Sequence, residues 1–109
     1  MKVLVIIISY NFERWMERCL ESLRLSKHPV DVVVIDNDSK DRSIERIRKD
    51  YPEVRLIVNG ANLGFGKANN IGLGIALEEG YDFAFLLNQD AWIDTQTIGK
   101  LVELSRQHP

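Results

Sequence analysis

The chain has 109 residues, enough for one domain with its own core, because a domain near this size buries roughly two-thirds of its unfolded surface. A composition of 45% hydrophobic and 28% charged residues is ordinary for a soluble globular protein, and a formal net charge of −2 gives no electrostatic footing for nucleic acid. One cysteine, Cys19, excludes an internal disulfide and any cysteine-type metal spacing, so a reducing, cytoplasmic setting is the default expectation.

Val3 to Ser9 is a continuous apolar run, as expected for a strand of a parallel sheet covered on both faces. The run is too short to span a bilayer and leads into Ser9-Tyr10-Asn11, not into a small-residue cleavage site. Trp15, Met16, Cys19, Leu20 and Leu23 then recur at helical spacing, predicting an amphipathic helix from about Glu13 to Leu25 with Trp15 and Cys19 in the core. Val32 to Ile35 is a second buried strand, ending at Asp36. A second helix with Ile44, Ile47 and Tyr51 on its inner face follows, capped by Asp38 and Ser39 with Asp41 near its positive end.

Val54 to Val58 predicts a third strand, and Asn59 to Gly64 a loop. Ala68, Ile71 and Ile75 line a third helix that stops near Gly80. Asp82 to Leu87 holds a fourth strand ending at Asn88, and Asp94 or Thr95 caps a last helix carrying Ile98, Leu101 and Val102. The order βαβαβαβα over residues 1–109 predicts one α/β domain, a three-layer Rossmann-like sandwich around a mostly parallel sheet. Ligands of such sheets bind beyond the carboxyl ends of the strands. The polar clusters Ser9-Tyr10-Asn11, Asp36-Asn37-Asp38, Asn59 to Gly64 and Asn88-Gln89-Asp90 all fall there.

Within these clusters, Asp90 is a suitable hard oxygen ligand for Mg²⁺ or Mn²⁺, although its position alone equally fits a helix cap. Asp36, directly at a strand end, suits a hydrogen bond to a ligand hydroxyl or ring nitrogen. Gly64-Phe65-Gly66-Lys67 opens a helix whose N-terminus attracts anions, but it is neither a dinucleotide fingerprint nor a P-loop, and Lys67 reads as a solvated residue. Asn69 and Asn70 are mediocre helix formers, which points to side chains bonding a ligand or the neighbouring loop. Tyr10 could stack on a base, Trp92 suits either the core or a ligand pocket, and His28 and His108 receive no role.

Taken together, these segments resemble the large inverting GT-A family called glycosyltransferase family 2. Val5-Ile6-Ile7-Ile8-Ser9-Tyr10-Asn11 resembles its opening strand, and Cys19-Leu20-Glu21-Ser22-Leu23 its first helix. The stretch from Val33 through Asp36-Asn37-Asp38-Ser39 to Ser43 is similar to its second-strand motif. Asn62-Leu63-Gly64-Phe65-Gly66-Lys67-Ala68-Asn69-Asn70-Ile71-Gly72 resembles the rhamnosyltransferase-like version, and Asn88-Gln89-Asp90 sits where the family carries Asp-x-Asp.

The resemblance implies transfer of a sugar, with inversion, from a nucleotide diphosphate sugar (UDP- or dTDP-linked) to a glycan or lipid-linked acceptor in polysaccharide or cell-surface glycan synthesis. It implies nucleoside contacts from Ser9, Tyr10, Asn11, Asp36 and Asn37, and donor contacts near Gly64, Asn69 and Asn88, with Asp90 as metal ligand. Asn69 stands where many relatives carry a basic residue, and Asn88 replaces the first acid of the motif. The family's general base lies on a later segment. The 109 residues are therefore expected to form the donor-binding half, inactive alone, with a sheet edge that favours self-association, and the full-length protein is expected to work at the inner face of the membrane. The alternative is a non-catalytic nucleotide-binding or interaction module of the same fold. A flavodoxin-like receiver needs acids after the first strand, and Ser9-Tyr10-Asn11 has none.

Overall fold

The structure, a computed structural model, describes residues 1–107, so His108 lies outside the described residues. Eight elements alternate: β1 (Val3–Ser9), α1 (Glu13–Arg24), β2 (Asp31–Asp36), α2 (Ser43–Asp50), β3 (Arg55–Val58), α3 (Phe65–Glu78), β4 (Phe83–Leu86) and α4 (Thr97–Gln107). The four strands form one sheet in the order β3-β2-β1-β4, and every pairing is parallel.

Strand β1 sits centrally because its residues are apolar on both faces. Val3, Val5 and Ile7 pack with Met16, Leu20, Ile47, Ile98 and Val102 from α1, α2 and α4. Leu4 and Ile6 face the other way, onto Ala68 and Ala76 of α3. Each fully buried Val or Ile contributes about 1.5–3 kcal/mol of transfer free energy. The chain steps outward from β1 to β3 with its helices on one face, then returns to β4 with α3 on the other. That switch of face is what right-handed crossovers require when the direction of travel across the sheet reverses.

Helix α3 lies close against β1 because of Gly72. A Cβ added there would stand 2.5 Å from Cγ2 of Ile6, a branched methyl at the middle of the sheet. Gly74, two residues on in the same helix, meets nothing within 4 Å. Alanine should therefore have opposite effects at the two sites. Gly72→Ala overpacks and should destabilise by about 1–2 kcal/mol, whereas Gly74→Ala should stabilise by up to about 1 kcal/mol through helix propensity. Urea unfolding of the two variants checks this, and equal shifts would contradict the packing argument.

Helix α2 departs from the sequence expectation. It starts at Ser43, not just after Ser39, and neither Asp38 nor Ser39 caps it. The capping carboxylate is Asp41, which accepts the Ser43 N–H at 2.9 Å and the Glu13 N–H at 3.2 Å. One side chain thus serves the starts of two helices. Burial alone pushes the Asp41 pKa up, but the bonds from the Ser43 hydroxyl and N–H and the Glu13 N–H outweigh it, leaving the carboxyl below its ordinary value. The ionised form is then favoured by folding. Its stabilisation is complete above the unfolded carboxylate range and is lost as pH falls through the depressed native value. Asp41→Asn should accordingly flatten the acid limb of a pH–stability curve; an unchanged limb would contradict the assignment.

Candidate functional site

Strand order decides which polar loops meet. Because β4 returns beside β1, the carboxyl ends of β1 and β4 flank the point where strand order reverses, where open α/β sheets hold their ligands. A cleft of about 420 Å³ opens there, within the range of small-molecule sites. Ser9 and Tyr10 line it from β1, Trp15 from α1, and Asn37 from the end of β2. Asn62 comes from the loop before α3, Phe65 from the first residue of α3, and Asn88, Gln89 and Asp90 from the turn after β4.

The residues singled out in the sequence divide into two groups. Ser9, Tyr10, Asn37, Asn88 and Asp90 reach the cleft, while Asn11, Asp36, Gly64 and Asn69 stand behind or beside it. Asp36 is fully buried. Its Oδ1 accepts the Ser9 hydroxyl at 3.0 Å and the Ser39 hydroxyl, and its Oδ2 accepts the Ser39 N–H at 2.9 Å. Ser39 in turn accepts the Asn11 N–H at 2.9 Å. This chain of bonds is what Ser39 does in place of capping α2, and it ties the ends of β1 and β2 together.

Asn11 carries its backbone at φ 49°, a left-handed conformation that asparagine tolerates better than most residues. Its Oδ1 accepts the Lys40 N–H at 2.8 Å, so its side chain braces the two loops. Asn37 bridges in the other direction. Its Oδ1 accepts from Asn59 at 2.8 Å, and its Nδ2 donates to the Gly64 carbonyl at 3.3 Å. Gly64 turns the chain into α3 at φ 80°, a backbone that a side chain would strain. Asn69 lies on the first turns of α3 with 9% of its surface exposed, whereas Asn70 is exposed.

Two placements were not legible beforehand. Trp15, expected in the core, packs against its edge but is only half-buried and also forms part of the cleft wall. Trp92 is 55% exposed and lies outside the cleft, its ring covered by the Arg18 guanidinium 4.0 Å from the centroid. Gln89 had no expected task. Its Oε1 accepts the Tyr10 N–H at 2.9 Å, and its Nε2 donates to the Tyr10 carbonyl at 3.0 Å. A carboxamide between two polar neighbours at a strand end was the available signal.

Cys19 is a core residue, 1% exposed, its thiol pushed up to about 12 by burial first and by the charge of Asp90 second. A thiol so placed is inert. Thiol-specific reagents should label Cys19 only when urea unfolds the chain, and rapid labelling of the native protein would contradict this placement.

Asp90 is exposed at the cleft and is the one carboxylate among the described lining residues. Among the described residues, no three His, Cys, Asp or Glu side chains group as a ready metal cage. The donor set nevertheless fits Mg²⁺ or Mn²⁺, which are commonly held by one or two carboxylates together with substrate phosphates and water. No helix of the described residues is long and apolar enough to cross a membrane.

A parallel α/β sheet with a ligand-sized cleft at the reversal of strand order defines a Rossmann-like protein. The sequence places it further: residues 4–109 match the profile described as Glycosyl transferase family 2, and the chain belongs to that family. It is 42% identical over 67 residues to an N-acetylglucosaminyl-diphospho-decaprenol L-rhamnosyltransferase of Mycobacterium tuberculosis, covering 61% of this chain and 22% of that protein. The TarS structure of Staphylococcus aureus (residues 1–349) superposes with a TM-score of 0.86 at 26% identity, over 99% of this chain and 33% of that one. A mannosyltransferase of Pyrobaculum calidifontis, in complex with GDP-Man and Mn²⁺, superposes with a TM-score of 0.77 at 24% identity, over 94% of this chain and 31% of that one. The chain therefore spans about a fifth to a third of each of these three proteins.

Proposed function

We propose that the cleft binds a nucleotide diphosphate sugar, UDP- or dTDP-linked, as the donor side of an inverting glycosyl transfer. The observation that carries this reading is the exposed Asp90 carboxylate in a cleft at the strand-order reversal. Tyr10, 45% exposed, offers its ring to the base, and Ser9 and Asn37 offer polar groups beside it. Asp90 would hold Mg²⁺ or Mn²⁺, with the Asn88 carboxamide alongside, and the N-terminus of α3, which reaches the cleft at Phe65, would offer its positive end to the diphosphate. The cation's contribution is to neutralise charge as the diphosphate leaves. Support comes from the family membership, from the Mn²⁺ and GDP-Man in the mannosyltransferase structure, and from TarS in complex with UDP, which superposes with a TM-score of 0.82.

The rhamnosyltransferase among the relatives supports an L-rhamnosyl donor and a lipid-diphosphate acceptor; work at the inner face of a membrane is part of this proposal. Transfer also needs a base to take the acceptor hydroxyl's proton, a role this reading assigns to none of the cleft residues. The 109-residue chain is thus expected to bind donor and to turn it over slowly if at all. Calorimetry of the chain with UDP, dTDP and GDP, each with and without Mn²⁺, tests the binding. Mn²⁺-dependent heat with one nucleotide is the expected result. Binding that ignores the metal would favour a non-catalytic nucleotide-binding module, and no binding with any nucleotide would overturn the reading. The outer edge of β4 meets no further strand among the described residues, and Leu86 and Leu101 beside it are about half-exposed. Such edges seek partners, so self-association is expected in sedimentation at high concentration.

A further inference from the structure

Main-chain pairing between β1 and β4 runs from Val3↔Phe83 to Ile6↔Leu86 and ends with the Leu87 N–H donating to the Ile6 carbonyl at 3.0 Å. Beyond that point the two chains diverge to make the cleft. Gln89 bridges the gap. Its carboxamide accepts from the Tyr10 N–H and donates to the Tyr10 carbonyl, as a partner strand's backbone would. A primary amide is the side-chain group that supplies a fixed donor and a fixed acceptor in the geometry of a peptide; a carboxylate lacks the donor, and an ammonium or guanidinium lacks the acceptor. Asparagine carries the same group on a stem one carbon shorter.

The bridge joins the two cleft segments to which the proposed function gives its most direct ligand contacts. Tyr10 is the residue placed against the base, and Asp90, immediately after Gln89, is the residue placed at the diphosphate. We propose that Gln89 is a positioning residue whose carboxamide extends the β1–β4 ladder by one rung and holds Tyr10 and Asp90 at a fixed separation for a nucleoside diphosphate. This inference rests on the nucleotide-sugar reading of the cleft. Its function is preorganisation: without the rung, binding must order the Tyr10 peptide and the Asn88–Asp90 turn at the cost of affinity.

The test has two arms, both on the 109-residue chain. In the first, amide hydrogen exchange is followed at Tyr10 and at Ile6 and Val34 in the sheet, without ligand. Gln89→Met keeps the length of the side chain and removes both bonds, so exchange at Tyr10 should rise about tenfold. The sheet amides should stay at their wild-type rates, which separates loss of the rung from general destabilisation. Gln89→Glu keeps an acceptor and should leave the Tyr10 N–H largely protected. In the second arm, calorimetry with UDP or dTDP and Mn²⁺ should show Gln89→Met binding about tenfold more weakly than wild type. Unchanged exchange at Tyr10 in Gln89→Met overturns the rung, as does equal loosening of Tyr10 and the sheet. Faster Tyr10 exchange in Gln89→Met with unchanged nucleotide affinity overturns the positioning role. A wild-type chain that binds no nucleotide overturns the nucleotide-sugar reading and with it the positioning role, while the exchange arm still decides whether the rung exists.

Discussion

Asp90→Ala should abolish the Mn²⁺ dependence of nucleotide binding, weakening metal-assisted affinity by at least about a hundredfold. Loss of an outer partner of a metal site costs about 10–100-fold, and Asp90 is placed as the protein's own ligand. Among the described cleft residues no second carboxylate can take over, since the others contribute hydroxyl, amide, aromatic and aliphatic groups. The substitution should leave folding nearly untouched, because an exposed side chain away from the core rarely shifts stability by more than about 0.5 kcal/mol. That combination separates a ligand role from a cap, the other role its position allows. Calorimetry with and without Mn²⁺, alongside urea unfolding, reads both quantities. Retained metal dependence in Asp90→Ala would remove Asp90 from the site. A large loss of stability would mean that it serves the fold.

The opposite pattern is expected at Asp36. Asp36→Ala should destabilise the chain by about 3 kcal/mol, since it leaves three donors without their acceptor: the hydroxyls of Ser9 and Ser39 and the Ser39 N–H. Ser9 and Asp36 are fully buried, so water cannot replace the lost bonds without opening the sheet. Marginal stabilities of about 5–15 kcal/mol make this a large fraction of the total. Asp36→Asn should cost less, about 1–2 kcal/mol. The hydroxyls can rotate to accept from the new NH₂ group, while the amide oxygen keeps the Ser39 N–H. Urea unfolding followed by tryptophan fluorescence measures both variants. An alanine variant within about 0.5 kcal/mol of wild type would show that these bonds are replaced and that Asp36 is free to face a ligand.

These two aspartates show how far a sequence can be read and where reading stops. Both lie at strand ends in polar clusters, and locally they look alike. Their difference is set by partners far away in the chain. Asp36 meets Ser9 across 27 residues, and Gln89, beside Asp90, meets Tyr10 across 79. Residue periodicity carries no information about such distant encounters.

Periodicity did carry the elements. The β-branched run Val3 to Ser9, the helical spacing of Met16, Cys19, Leu20 and Leu23, and the Asp94 cap each depend on near neighbours, and each element appears within a few residues of its expected place. The start of α2 was misplaced because Ser39 and Asp41 are equally good local caps. Ser39 is recruited by Asp36 and Asn11, and only the packed sheet decides that competition. Trp15 satisfied the apolar spacing of α1, but spacing does not say which end of a helix face overlooks a cleft.

What the sequence by itself determined is the α/β alternation, the burial of β1 and the family motifs, because short-range sterics and apolar patterning are properties of the chain alone. Tertiary structure decided the strand order β3-β2-β1-β4, and with it which strand ends adjoin. It alone turned Asp36 inward, left Asp90 at the cleft and gave Gln89 the Tyr10 backbone to hold, because hydrogen bonds between distant residues exist only once the sheet has brought them together.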